Sequence, residues 1–200
     1  MSVTSPWNWI SRWKESAAKR AEEARHKDDM KAFYRMFVEP GELCFDVGAN
    51  IGNRTVILAE IGCRVICIEP QPLCLKRLRK LFGKQKNVVI VDAAAGEREG
   101  MGELAVCEDE PTISTMSDRW MTEGRFADGN QWSKKIPVRM TTLDRLITQH
   151  GTPKFCKIDV EGFELSVIKG LSVPVHCLSF RPLPPWFFSG RNTFILLSMP

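Results

Sequence analysis

The stretch Phe45-Asp-Val-Gly-Ala-Asn-Ile-Gly-Asn53 decides the fold. Leu43–Val47 predicts a strand and Asn53–Ile61 a helix. Between them lies a tight turn holding Gly48 and Gly52. Glycine tolerates positive φ and lets a backbone approach a ligand closely. In open α/β sheets, ligands bind beyond the carboxyl ends of strands, where strand order reverses. A strand, a glycine turn and an opening helix form the usual wall of such a crevice.

The turn is not the dinucleotide fingerprint. G-x-G-x-x-G would need glycine at positions 50 and 53, where Asn50 and Asn53 stand. The pattern is D-x-G-x-N-x-G. A pyrophosphate seeks a bare helix N-terminus, and Asp46 would repel it. S-adenosylmethionine (SAM) carries no phosphate. It offers a cationic ammonium that suits Asp46, directly or through water, together with a ribose and an adenine.

The next two strands also end in acids. Glu69 closes Val65-Ile-Cys-Ile-Glu-Pro70, where a carboxylate can accept both ribose hydroxyls. Asp92 closes Val88-Val-Ile-Val-Asp-Ala93, where a polar group can meet the adenine amino group. The bland readings are a plain turn for the glycines, a loop acid before Pro70, and a cap or loop acid at Asp92. Three successive acidic strand tips are more specific than any one. The expected cofactor residues are Asp46, Gly48, Ala49, Asn50, Gly52, Glu69, Asp92 and Ala93.

A fourth element is Lys157-Ile-Asp-Val-Glu-Gly162, at the end of a strand beginning near Phe155. Period-two alternation places Lys157, Asp159 and Glu161 on one side. Charges crowding the end of an apolar strand mark a candidate site. Methyl transfer needs its nucleophile held on axis near ~3 Å, and a hydroxyl acceptor needs a base. Asp159 or Glu161 is the expected base, with Lys157 tuning the carboxylate or orienting the acceptor. The competing reading is a salt-bridged strand end.

Other features carry less. Asp144, in Thr141-Thr-Leu-Asp-Arg145, suits a first helical turn. His26, His150 and His176 have no partners in sequence. Ile113–Ser117 is a loop that could lie over the crevice. Lys76-Arg77-Leu78-Arg79-Lys80 predicts a solvated helix face, so no nucleic-acid partner is expected.

Outward from these blocks, short apolar runs alternate with helical stretches. Strands are predicted over 64–68, 88–91, 103–107, 136–140, 155–158 and 175–180, and helices over 73–82, 142–149 and 163–169. This order means βαβ units and a mostly parallel sheet with helices on both faces. The fold class is thus α/β, doubly wound. Residues 1–39 form a helical extension: one helix starting at Ser5-Pro6 and running to about Arg25, then a second from Asp28 through Phe37. Trp7, Trp9 and Trp13 lie on the first, for packing on the domain or a partner rather than on a membrane surface. Residues 40–180 form the main domain. Residues 181–200 are atypical, since Pro182, Pro184 and Pro185 cannot continue a central strand.

Bulk composition agrees with a globular chain. The chain has 200 residues and is 44% apolar, enough for one domain with a core. Its net charge of +4 calls for no polyanionic partner. Seven cysteines lie mostly within apolar runs, with no CxxC pair and no zinc-ligand spacing, so no metal is expected. No signal peptide precedes them and no apolar run nears the ~20 residues of a membrane span. A soluble, cytoplasmic protein is the expectation.

At these residues the chain resembles the FkbM family of SAM-dependent methyltransferases. The matching text is Phe45–Gly52, Ile68-Glu-Pro70, Thr142-Leu-Asp144, and Lys157–Gly162 with Glu164 and Lys169-Gly170. The resemblance implies a class I, Rossmann-like methyltransferase fold with SAM over the first two strands. It implies O-methylation of a sugar or other small molecule. Asp46, Gly48, Asn50 and Gly52 match the SAM loop, Glu69 the ribose acid, and Lys157, Asp159 and Glu161 the acceptor block. The tail departs from the family. Arg181 replaces an acidic residue, and the closing antiparallel strand pair is expected to be incomplete. Two rivals remain: a catalytically inactive SAM-fold binding module, and an NAD-type oxidoreductase with a degenerate loop.

Overall fold

The computed structural model describes residues 7–107, 114–117, 121, 134–180 and 195–198. The chain divides into two compact units, Met1–Met36 and Phe37–Pro200. The first contains one α-helix of 28 residues, α1 (Trp7–Tyr34). The expected break near Arg25–Asp28 is absent. Neither proline nor glycine occurs within α1, so nothing stops the helix, and Asp28 sits mid-helix instead of capping a second one. Ser5 and Pro6 lie outside the described residues.

The second unit is built on a six-stranded sheet. Its strands are β1 (Leu43–Val47), β2 (Arg64–Glu69), β3 (Val88–Asp92), β8 (Phe155–Ile158), β9 (Cys177–Phe180) and β10 (Ile195–Ser198). Their spatial order is β10-β9-β8-β1-β2-β3. All neighbours run parallel except β9 and β10, which are antiparallel. The runs are almost wholly apolar because both faces of a parallel sheet are covered. Phe45, Val47, Ile66, Ile68, Ile158 and Leu178 are all at most 1% exposed and form the main core.

The tail thus supplies one antiparallel strand, despite its proline-rich approach. Ile195 pairs with Phe180 and Ser198 with Cys177. The three prolines lie outside the described residues.

A second sheet contains β4 (Ala94–Ala95), β5 (Gly100–Val106), β6 (Ser114–Thr115) and β7 (Lys134–Thr141), in the order β4-β7-β5-β6. The predicted strands flanking the polar loop become β5 and β7, which pair antiparallel from Gly100↔Met140 to Val106↔Lys134. Ala94, Leu104, Val106 and Val138 give this sheet its own small core.

Three of the helices that follow a strand start on a local signal. In α2 (Asn53–Ile61) the N-cap is Gly52, at φ 91°. In α3 (Pro72–Phe82) the Gln71 side chain accepts from the Cys74 N–H at 3.0 Å, and Pro72 opens the first turn. Thr142 caps α4 (Leu143–His150) by accepting from the Arg145 N–H at 3.0 Å. The last is the short α5 (Glu164–Lys169). No described helix is long and apolar enough to cross a membrane.

Strand order fixes where a site can form. From β1 the chain steps outward through β2 to β3, then returns to place β8 on the other side of β1. The reversal falls between β1 and β8, whose ends meet at Val47↔Ile158. Gly48 and Asp159 are the next residues along each strand.

Candidate active site

Beyond these strand ends lies a cavity of about 160 Å³. Gly48, Asn50 and Glu69 line one side, and Asp159, Val160 and Glu161 another. Its apolar wall comes from Ile68, Ala93–Ala95, Leu104, Met116 and Phe163. The second sheet therefore supplies part of the wall, through Ala94, Ala95, Leu104 and Thr115.

Glu69 is 4% exposed. Its Oε2 accepts from the Asn50 N–H at 2.7 Å and its Oε1 from the Gln71 N–H at 2.9 Å. Burial pushes its pKa up to about 7, against the pull of these two hydrogen bonds. A carboxylate oxygen has room for a second donor, so Glu69 can take two hydroxyls while its backbone bonds stay intact. The donors also tie the carboxylate to the glycine turn, because Asn50 belongs to that turn.

The turn is unusually contorted. Gly48, Asn50 and Gly52 have φ of 72°, 53° and 91°. A Cβ on Gly48 would collide with the Asp159 carbonyl oxygen. A Cβ on Gly52 would press on Phe82 and Leu78, at 2.7 and 2.9 Å. Both glycines are thus required by packing within the protein, as well as by φ. The Gly48 and Ala49 N–H groups donate to the Ile68 carbonyl at 3.0 and 3.1 Å, which seats the turn over β2.

Behind the turn is a buried charge cluster. Asp46 is fully buried, and its Oδ2 accepts from the Thr55 hydroxyl at 2.6 Å. Its Oδ1 lies 3.1 Å from the Lys157 ammonium. Asp46 and Lys157 are register partners on β1 and β8, which puts them side by side. Lys157 Nζ also donates to the Gly48 carbonyl at 3.0 Å and lies 3.9 Å from Asp159 Oδ2. Burial works against its charge, but the Asp46 and Asp159 carboxylates outweigh it and hold the Lys157 pKa above its ordinary value.

Lys157, Asp159 and Glu161 therefore do not share one strand face. β8 ends at Ile158, so alternation stops before Asp159. Lys157 stays behind the turn, among Asp46 and Gly48. Asp159 and Glu161 lie in the following turn and line the cavity. Glu161 is left-handed, with φ 50°, followed by Gly162 at φ 93°. The Thr115 hydroxyl donates to the Glu161 carbonyl at 2.7 Å.

Asp92 is placed elsewhere. Its carboxylate meets the Arg79 guanidinium at 2.8 Å with both side chains more than half exposed. It is not on the cavity wall, although its neighbour Ala93 is. Asp46, Ala49 and Gly52 also stand back from the cavity and shape the turn. Thr55, Gln71, Thr115 and Glu164 were not picked out from spacing as site residues. Tertiary structure brings Thr55 to Asp46 and Thr115 to the Glu161 carbonyl, whereas Gln71 and Glu164 act through bonds within a few residues. Of the outlying features, Asp144 accepts from the Ser172 N–H at 2.8 Å, a structural bond. Residues 107–135, the stretch between β5 and β7, lie mostly outside the described residues.

The donor and acceptor set suits an adenosyl cofactor without phosphate. Glu69 offers an acid at the β2 tip, and the apolar Ala93–Ala95 and Leu104 wall offers a slot for a flat ring. The Glu69 and Asp159 carboxylates on the cavity wall give a dinucleotide pyrophosphate no welcome. Among the described residues, no three His, Cys, Asp or Glu side chains converge as a metal site.

Comparison with known proteins gives the family. A family profile described as "Methyltransferase FkbM domain" matches residues 46–181. The hexuronic acid methyltransferase AglP of Haloferax volcanii is 25% identical over 163 residues, covering 80% of this chain and 63% of the relative. The chain thus spans less than two thirds of the length of that curated relative. The profile begins at Asp46 and ends just past β9, so it takes in the glycine turn, Glu69 and the turn after β8. With its α/β sheet and its site at the β1–β8 reversal, this chain belongs to the FkbM methyltransferase domain family.

Proposed function

We propose that the protein is a SAM-dependent O-methyltransferase acting on a hydroxyl of a sugar or other small molecule. The observation that carries this reading is Glu69. It is a buried acid at the β2 tip, already held by two backbone donors, beside a turn whose Gly48, Ala49 and Asn50 N–H groups are all engaged within the protein and so not offered to a pyrophosphate. SAM, when bound, supplies an electrophilic methyl on its sulfonium.

The chain's own residues then divide the work. Glu69 accepts the ribose hydroxyls. Ala93–Ala95 and Leu104 pack against the adenine. Gly48 and Asn50 form the wall beside the amino-acid head. Asp46 supports that wall from behind, with Thr55 and Lys157 compensating its charge. Asp159 and Glu161, across the cavity from Glu69, face the acceptor, and one of them receives the hydroxyl proton. Lys157 acts through Asp46, Gly48 and Asp159 and is a positioning residue. The seven cysteines are thiols, which suits a reducing cytoplasm.

A sugar acceptor is favoured by the relative named for hexuronic acid. The test is transfer of labelled methyl from SAM to a panel of neutral and uronic-acid glycosides. Label should enter a glycoside as a base-stable ether, and Asp159→Asn or Glu161→Gln should reduce it at least ~100-fold. SAM binding without transfer to any hydroxyl would favour a non-catalytic SAM-fold module instead.

A further inference from the structure

The turn after β8 holds a conformation its sequence alone would not choose. Glu161 sits at φ 50° and Gly162 at φ 93°. A glutamate rarely adopts the left-handed region. Such strain persists only where surroundings over-determine it, and it clusters at functional sites. Here two side chains hold the turn from opposite sides.

From the β6 side, Thr115 is 1% exposed and donates its hydroxyl to the Glu161 carbonyl at 2.7 Å. Its Oγ1 accepts in turn from the Ser117 N–H at 3.0 Å, which fixes the rotor. From the α5 side, Glu164 is 5% exposed. Its single Oε1 accepts from the Val160 N–H at 3.1 Å and from the Gly162 N–H at 3.3 Å. These two N–H groups flank Glu161 on either side. Burial raises the Glu164 pKa, and the backbone donors oppose that rise. An acid buried this deeply, and bonded only to its own turn, is costly unless the turn needs it.

We infer that Glu164 is a positioning residue of the acceptor side. Its Oε1, working against the Thr115 hydroxyl, locks Glu161 in the left-handed conformation that sets the cavity wall formed by Asp159–Glu161. The inference rests on the methyltransferase reading of this cavity. Glu164 does not line the cavity, so it acts through the turn and not on substrate. What it supplies is a hydrogen-bond acceptor at one atom, and its charge is incidental.

Glutamine keeps that atom and alanine removes it, so the pair Glu164→Gln and Glu164→Ala isolates the role. The full-length protein is measured by hydrogen exchange at the Val160 and Gly162 amides. It is also measured by S-adenosylhomocysteine affinity, and by methyl transfer to 4-nitrophenyl β-D-glucuronide. Glu164→Ala should speed exchange at both amides roughly 10-fold or more, as an amide does on losing its acceptor. It should also lower turnover about 30-fold, with S-adenosylhomocysteine affinity unchanged. Glu164→Gln should restore exchange and turnover to within about threefold of the parent. Thr115→Val and Thr115→Ser repeat the contrast from the other side should Glu164→Ala fail to fold.

Glu164→Gln as impaired as Glu164→Ala would overturn the inference, because charge or a proton would then matter. So would unchanged exchange in Glu164→Ala and Thr115→Val, or loss of cofactor affinity in step with turnover. Exchange decides the inference without an acceptor. A parent protein that binds no S-adenosylhomocysteine is a separate outcome, and it removes the methyltransferase reading itself.

Discussion

Glu69 shows how one residue combines structure and chemistry. Its backbone donors organise the turn, and its remaining lone pairs are left for a ligand. With its pKa raised to about 7, a sizeable protonated fraction remains at neutral pH. Ribose hydroxyls donate, so they bind the ionised form. Cofactor binding should therefore lower this pKa and strengthen as pH rises through 7. We expect S-adenosylhomocysteine affinity about tenfold weaker at pH 6 than at pH 8, at one pKa unit per 1.36 kcal/mol. Calorimetry across that range checks this, and the slope should flatten in Glu69→Gln. The sign is reversed for folding. Folding disfavours the ionised form, so this group costs stability as pH rises from the ordinary carboxylate range to about 7.

Lys157 makes a second prediction at the same scale. Lys157→Met would leave the fully buried Asp46 without its cation. Breaking a buried pair from one side costs about 3–5 kcal/mol. Urea unfolding should show a loss of that size, and adding Asp46→Asn should recover much of it. Equal losses in the single and double variants would contradict the pairing. The sequence showed both charges but not their pairing, which required β1 and β8 to be neighbours in register.

At the scale of elements, the glycine turn makes the clearest claim. Gly48 approaches the Asp159 backbone so closely that no Cβ fits. Gly48→Ala should lower the melting temperature by several degrees and abolish S-adenosylhomocysteine binding, since turn and opposite wall must separate. A melting curve and a titration check both.

Much of this level was legible in advance. Strands buried on both faces read as continuous apolar runs, and Thr142 marked a helix start. The misses have physical causes. β4 and β6 have two residues each and carry no periodicity. Asp28 reads as a cap because an acid among polar residues resembles one when no packing is known, yet α1 runs through it. Asp92 looked like a ligand contact until α3 brought Arg79 to it. The role of Glu164 was not legible beyond its place in the resembling block, because its bonds to Val160 and Gly162 depend on a left-handed turn that no propensity predicts.

At the scale of the whole molecule, the order β3-β2-β1-β8-β9 determines where chemistry can occur. The acids of β2 and of the β8 turn converge because the strand order reverses between β1 and β8, so that parallel neighbours end side by side. The same order gives β10 its role. It covers β9, which would otherwise be an open parallel edge. Deleting residues 182–200 should leave the glycine turn folded, and exchange in β9 should rise by an order of magnitude or more. Light scattering should show self-association through the bared edge. A monomeric truncation with a protected β9 would contradict the β9–β10 pairing.

The measurement that bears most directly on the account is calorimetric titration of the intact protein with S-adenosylhomocysteine, with Glu69→Gln and NAD as controls. Glutamine in place of Glu69 turns an NH2 toward one of two backbone donors and loses charge-assisted bonds to the ribose. The account predicts micromolar binding by the parent, weakened about 10- to 100-fold in Glu69→Gln, and no heat from NAD. A folded protein that binds NAD, or binds S-adenosylhomocysteine equally well without the Glu69 carboxylate, would contradict it.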